Sequence, residues 1–156
     1  MSIIEARKHL EKFNRGNDIL EFDESSATVL LAAEVLNVEP GRIAKSISLK
    51  NGEGAILVVT AGDTKVDNKK FKAEFGIKAK MLTPEETMKY IGHPIGGVCP
   101  FGLKEDVPIF LDDSLKRFET VYPACGSSNS AIKLTCNELE EYSESKKWVD
   151  VCKNME

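Results

Sequence analysis

The chain has 156 residues, 42% of them hydrophobic and 29% charged, with a formal net charge of −4. That length suits one domain spanning 1–156 around a single sizeable core, and the acidic balance excludes a protein that coats nucleic acid with a globally basic surface. No apolar run is long enough to span a bilayer, no basic segment leads into an apolar stretch at the N-terminus, and Cys99, Cys125, Cys136 and Cys152 lack zinc-type spacing: the expectation is a cytoplasmic protein with free thiols, no membrane association, no metal and no cofactor.

In chain order, Ser2 and Glu5 fit a capping box, with Ala6, Leu10 and Phe13 on one helical face. Ile19 to Phe22 reads as a short strand. Ser25 or Ser26 is placed to cap a second helix carrying Val29, Leu30, Ala33 and Leu36, which Asn37 stops. Pro40 and Gly41 mark a turn with one short helical turn. Ala44 to Lys50 is a strand whose alternation puts Lys45, Ile47 and Leu49 on one face and Ser46, Ser48 and Lys50 on the other. The apolar face is expected to be the buried one, so Lys45 begins an inward-facing row. It either snorkels to water from the strand end or points into a pocket and holds an anionic group there.

Asn51-Gly52-Glu53-Gly54 signals a hairpin, and Ala55 to Ala61 is an apolar run suited to a strand covered on both faces. Gly62-Asp63 turns again. Asp67 caps a helix with Phe71 and Phe75 four residues apart, stopped by Gly76. Lys65, Lys69, Lys70, Lys72, Lys78 and Lys80 give this region a basic bias against Asp67 and Glu74. Such a run is either a solvated helix face or a phosphate-facing patch. Ile77 to Leu82 reads as a strand. Thr83-Pro84-Glu85-Glu86 starts a helix with Met88 and Ile91 on its apolar side. Val107 to Leu111 is a strand, placed at an edge early on by Pro108, and ended by Asp112 and Asp113. Thr120 to Ala124 and Ala131 to Thr135 make a last strand pair. Thr135 and Glu138 begin a C-terminal helix with Leu139 and Tyr142, after which Trp148, Val149 and Val151 dock the tail. Several strands are neighbours in sequence rather than alternating with crossover helices. The fold class is therefore α+β, a curled, largely antiparallel mixed sheet, barrel-like, surrounded by helices.

Between the Thr83 helix and Val107 lies Gly92-His93-Pro94-Ile95-Gly96-Gly97-Val98-Cys99-Pro100-Phe101-Gly102. Glycine and proline at this density rule out a helix or a central strand. They leave either an ordinary connection or a rigid loop whose exposed amides cradle a carbonyl or an anion. The phosphate-loop, dinucleotide-fingerprint, zinc-protease and nucleophile-elbow motifs are absent. His9 is expected near the surface. Cys99 with His93 as base is a conceivable dyad, set against the commoner small buried thiol.

Thr28 to Leu36, Ile43-Ala44-Lys45-Ser46, Gly62-Asp63 with Asp67 and Lys69-Lys70, Gly96-Gly97-Val98-Cys99-Pro100-Phe101-Gly102, the aspartate after Ile109-Phe110-Leu111, and Tyr122 to Gly126 occur in an order that resembles the YbaK/EbsC family. These are relatives of the editing domain inserted in bacterial prolyl-tRNA synthetases. The resemblance covers nearly the whole chain and implies a single-domain, trans-acting deacylase. Such a protein hydrolyses the ester of mischarged tRNA, often tRNA for proline, and prolyl-tRNA synthetase is a conceivable partner. It implies catalytic roles for Lys45, which would position the ester by contacting the phosphate–ribose end, and for Gly96 and Gly97, whose loop amides would hold the aminoacyl carbonyl. Thr28, Ser46, His93, Val98, Cys99, Pro100, Asp112, Ala124 and Gly126 would bind substrate. Cys99 stands where many relatives have Ser, Ala124-Cys125-Gly126 where some have Ser-Gly-Gly, and His93-Pro94 where others begin with Tyr, all near the amino-acid pocket.

An aminoacyl ester is already activated, so such a site needs mainly to orient water and stabilise developing charge. A ribose hydroxyl of the tRNA, or the thiol of a cysteinyl substrate, could supply the remaining chemistry. The rival class is a non-catalytic module that binds an aminoacyl-tRNA end, a nucleotide or an amino acid in the same pocket.

Overall fold

A computed structural model describes residues 2–104 and 106–155; the Ser2 side chain, and with it the Ser2–Glu5 capping box, lies outside the described residues. In chain order the elements are helix α1 (Ser2–Glu11), strand β1 (Leu20–Glu21), helix α2 (Val29–Leu36), strands β2 (Ile43–Asn51), β3 (Gly54–Ala61) and β4 (Thr64–Val66), helices α3 (Asn68–Phe75) and α4 (Pro84–Tyr90), strands β5 (Ile109–Asp112), β6 (Thr120–Pro123), β7 (Ser130–Ala131) and β8 (Leu134–Thr135), helix α5 (Cys136–Ser143), and strands β9 (Lys147–Val149) and β10 (Cys152–Asn154). Short 3₁₀ turns at Pro40–Arg42 and Asp113–Arg117 join some of them.

The frame is a curled, half-barrel mixed sheet in the order β8-β6-β2-β3-β5-β9. Its longest ladder is the antiparallel β2–β3 hairpin, from Ala44↔Ala61 to Asn51↔Gly54, turned at Gly52 with a φ of +63°. β6 joins β2 in parallel, and β5 and β9 extend β3 in parallel. β1 pairs with β7 and β4 with β10, both antiparallel.

β3 is buried along almost its whole length, and alternation divides it between two cores. Ala55, Leu57, Val59 and Ala61 enter the larger core with Ile91, Phe101, Leu111 and Leu139. Ile56 and Val58 enter the smaller one with Leu49, Phe71 and Val149. Each fully buried side chain of this size contributes about 1.5–3 kcal/mol over an exposed one. On the neighbouring strand β2 the alternation rule also fails in part: Ser48 is buried, although alternation alone places it outside.

Local chemistry sets the helix ends. Thr83 with Glu86 and Thr135 with Glu138 form reciprocal capping boxes, so α4 and α5 begin where expected. The Asp67 carboxylate accepts from the Lys69 and Lys70 amides at the start of α3. Five expectations are corrected. α2 is capped by Thr28, whose hydroxyl accepts from the Leu31 amide at 3.2 Å, while Ser26 bonds the Ser128 carbonyl. Residues 77–82 form no strand; the segment lies along β2 through Lys50 N–H to Lys80 O and Leu82 N–H to Ser48 O, with one bridge at Leu49↔Met81. α4 buries Thr87 and Ile91 and exposes Met88. β5 starts after Pro108 and lies between β3 and β9, so the proline caps an interior strand instead of marking an edge. His9 is half-buried, its ring near Phe13 and Phe101 and its Nε2 2.5 Å from the Tyr142 carbonyl oxygen.

Candidate active site

One hollow of about 210 Å³ gathers side chains from every quarter of the sequence. Ala27, Thr28, Val29 and Ala32 at the start of α2 form one side, and Ala44, Ser46 and Ser48 of β2 form the floor, with Lys45 at its margin. Met81, Leu82 and Thr87 close one end, and Tyr122, Ala124, Ser130 and Ala131 the other. Ile95, Gly96 and Val98 of the glycine-rich loop make the remaining wall. The volume is below the roughly 300–1,000 Å³ of typical small-molecule sites, which suits a small acyl group and the edge of a sugar.

Lys45 is the one charged side chain among the described residues that line this hollow. It sits at the rim. Its side chain leaves β2 on the face opposite Ser46, and its ammonium donates to the Thr64 carbonyl. Burial pushes its pKa down from the ordinary lysine value, partly offset by Cys152 and Asp63 nearby. Asp63 is itself held by Arg117, with bonds of 3.0 and 2.5 Å, which keeps its carboxyl below the usual range. An ammonium partly shielded from water attracts an anion more strongly than one in bulk solvent.

The floor is polar without being charged. The Ser46 hydroxyl oxygen is buried and has no hydrogen-bond partner among the described residues. An orphaned hydroxyl costs about 1–3 kcal/mol, a cost that a ligand's hydrogen bond would relieve. The loop wall is stiff. Gly96 adopts a φ of +94°, accessible at low cost only to glycine, and a Cβ there would stand 3.1 Å from the Ala27 Cβ.

Six residues named from the sequence meet at this hollow: Thr28, Lys45, Ser46, Gly96, Val98 and Ala124. The others lie elsewhere. Gly97 packs behind the loop, where a Cβ would come within 2.7 Å of the Ser127 nitrogen and 2.8 Å of the Gly126 carbonyl carbon. Its amide donates to the Pro94 carbonyl at 2.9 Å, so it closes a turn and is not free for a substrate carbonyl. Gly126 is the other half of that close approach. His93 and Cys99 are fully buried beneath the loop. Pro100 is buried and borders a separate hollow with His9 and Leu103. Asp112 is buried at the end of β5, where its carboxylate accepts from the Ser114 and Val151 amides at 2.9 and 2.8 Å.

Ser26, Ser48, Met81, Thr87, Ile95, Tyr122 and Ser130 also line the hollow, beyond the residues that the sequence points to. A signal existed for Ser48 alone: two serines two residues apart in a strand flanked by a doubly buried neighbour. Among the described residues, no group of three or more His, Cys, Asp or Glu side chains is placed to hold a metal ion, and no helix is long and apolar enough to cross a membrane.

Residues 23–142 match the model of the aminoacyl-tRNA editing domain. The chain is 57% identical over its full length to the full length of the Bacillus subtilis protein YwhH, which carries the description "uncharacterized". It is 30% identical, over 65% of its own length and 63% of the relative's, to an Enterococcus faecalis protein named "Putative Cys-tRNA(Pro)/Cys-tRNA(Cys) deacylase EbsC". A crystal structure described as "a putative trans-editing enzyme for prolyl tRNA synthetase" superposes with a TM-score of 0.88 at 28% identity, covering 98% of each chain. With the matched model spanning both walls of the hollow and its floor, this chain belongs to the aminoacyl-tRNA editing domain family.

Proposed function

We propose that this chain is a trans-acting deacylase. It hydrolyses the ester between a small amino acid, such as alanine or cysteine, and a tRNA, with tRNA for proline as the first choice. The observation that carries this reading is one rim lysine beside a small hollow, walled by a glycine-rich loop, that has no other charged side chain among the described residues. The volume admits a small acyl group, and Lys45 supplies the one positive charge for the phosphate–ribose end that follows it.

The chemistry asked of the protein is modest. Water adds to the ester carbonyl carbon, the bond from that carbon to the ribose oxygen breaks, and the released ribose oxygen takes the proton. Among the described residues that line the hollow, none is a histidine, cysteine or carboxylate. The protein therefore contributes orientation and electrostatic stabilisation, and a neighbouring ribose hydroxyl can relay the proton. Ser46 and Ser48 on the floor offer hydrogen bonds to the amino-acid end, and Gly96 and Val98 border the carbonyl. The likeness to a protein named as a Cys-tRNA(Pro)/Cys-tRNA(Cys) deacylase and to one described as a trans-editing enzyme for prolyl tRNA synthetase supports the proline isoacceptor and a cytoplasmic place beside that synthetase. Such an activity meets a physical need, because a synthetase pocket separates close isosteres by a factor of only about 10–200.

The same lack of an ionisable base favours, as a second reading, a module that binds the aminoacyl end without cleaving it. Turnover separates the two. Pure protein is offered tRNAs charged with alanine, cysteine, serine and proline, and loss of the ester is followed. Hydrolysis of at least one small mischarged species, with prolyl-tRNA for proline spared, supports the deacylase; stable binding with no ester loss supports the module.

A further inference from the structure

The hollow does not end at Lys45. Lys45, Ser46 and Met81 also line a second depression, whose far side is Lys65, Val66, Asn68 and Ala79. Asn68 and Ala79 in turn border a third, completed by Lys69, Lys72 and Lys78. The three surfaces share residues in succession, so they form one path from the rim of the cavity across β4 and onto α3. Among the described residues that line the two outer depressions there is no carboxylate, in a chain whose net charge is −4.

The nearby acids are engaged elsewhere. Asp67 caps α3, Glu74 pairs with Lys147 at 2.7 Å, and Asp150 pairs with Lys70 at 3.1 Å. Lys65 of β4 stands directly opposite Lys153 of β10. Lys153 has the Asp67 carboxylate as a counter-charge, which leaves Lys65 as the cation of this pair that lines the depression.

We infer that this lysine path binds the phosphodiester backbone of the RNA that adjoins the aminoacyl end. The inference rests on the deacylase reading for the identity of the RNA, but its mark is separate from catalysis. A row of cations along a groove neutralises successive phosphates and releases their counterions, which makes binding steeply salt-dependent. Aromatic side chains for base stacking do not line the two depressions among the described residues, so the path tracks the backbone without reading bases. A face of merely solvated lysines would leave no such mark.

The test replaces Lys65, Lys69, Lys72 and Lys78 by serine together. A matched control replaces Lys8, Lys104, Lys133 and Lys146, which are exposed elsewhere. Binding of uncharged tRNA is measured against salt concentration, a readout that needs no turnover. The expected result is affinity about 10–100-fold weaker at 0.1 M salt, with a slope against log salt shallower by about 0.7–0.9 for each phosphate no longer neutralised, and wild-type behaviour in the control. The path variant should also keep wild-type hydrolysis of a 3′-aminoacyl adenosine, which is too short to reach the path, while losing efficiency on full-length mischarged tRNA. Unchanged affinity and slope in the path variant, or an equal loss in the control, overturns the inference. A wild-type protein that binds tRNA through these lysines but hydrolyses neither ester overturns the deacylase reading alone.

Discussion

Cys99 Sγ lies 3.4 Å from His93 Nε2, and Nε2 also lies 2.7 Å from the Phe101 carbonyl oxygen. The carbonyl can only accept, so Nε2 carries the proton and donates it there. The same nitrogen cannot then receive the thiol proton. Burial pushes the Cys99 thiol up to about 12 and the His93 imidazole down from its ordinary value. Both groups are neutral at physiological pH and sealed from the hollow, as a structural pair would be. Cys99→Ala is expected to keep deacylation within about twofold of wild type while lowering stability by about 1–2 kcal/mol, as a buried truncation does. Chemical denaturation and single-turnover hydrolysis check the two halves; loss of turnover in a folded Cys99→Ala protein would restore the thiol to the mechanism.

Asp112 is an anchor of the fold. Its two oxygens take two amides, a partly buried one at the start of the Asp113–Arg117 turn and a buried one in the tail at Val151. Asp112→Asn keeps the shape but turns one acceptor into a donor facing an N–H group. The expected cost is about 1–3 kcal/mol, read as a lower denaturation midpoint. KM and kcat at a temperature where the variant remains folded should stay near wild type. A selective fall in kcat with unaltered stability would instead place the carboxylate in the reaction.

Stability should fall on the acid side in two successive windows. His93 and His9 both have pKa values lowered by burial from 6.5, for His9 against a raising bond to the Tyr142 carbonyl. Below about pH 6.5 the unfolded chain binds protons that the folded chain refuses, so stability rises with pH there and is lost on acidification. Carboxylates lowered in the folded state act in the same direction at more acid pH: Asp63 through its hydrogen bonds to Arg117, and Glu86 and Glu138 through their capping amides. Their contribution is present above the ordinary carboxylate range and is lost as pH falls through the folded values. Thermal midpoints should hold level from pH 8 to 7 and decline below about 6.5, and His93→Gln should flatten the first part of that decline. A wild-type midpoint constant between pH 7 and 5 would contradict the burial of both rings.

Local signals in the chain were legible because their partners lie within a few residues. The Thr83 and Thr135 capping boxes, the Asn51–Gly54 hairpin and the Asn37 stop each depend on chemistry complete in a short segment. Long-range pairings were not. Lys147–Val149 and Cys152–Asn154 become strands by joining β5 and β4, and nothing within those residues announces distant partners. Lys45 belongs to one row with Ile47 and Leu49, yet the rule that one face of a strand is solvated fails on a sheet covered on both sides. For the same reason Ser46 and Ser48, which read as the outside, form the floor of the hollow. The glycine-rich loop was legible as a wall, but not which of its residues look inward: Gly96 and Val98 border the hollow, while His93, Gly97 and Cys99 pack behind them.

We propose that the Lys45 ammonium, tied in the free protein to the Thr64 carbonyl, serves the ester beside a cavity that has no other charged side chain among the described residues. Single-turnover hydrolysis of alanyl- and cysteinyl-tRNA for proline by wild type and Lys45→Ala tests it most directly. The account predicts ester loss by wild type and a rate lower by about 100-fold or more in the folded variant, the scale of removing one electrostatic contact to a transition state. Equal rates in the two proteins would contradict it.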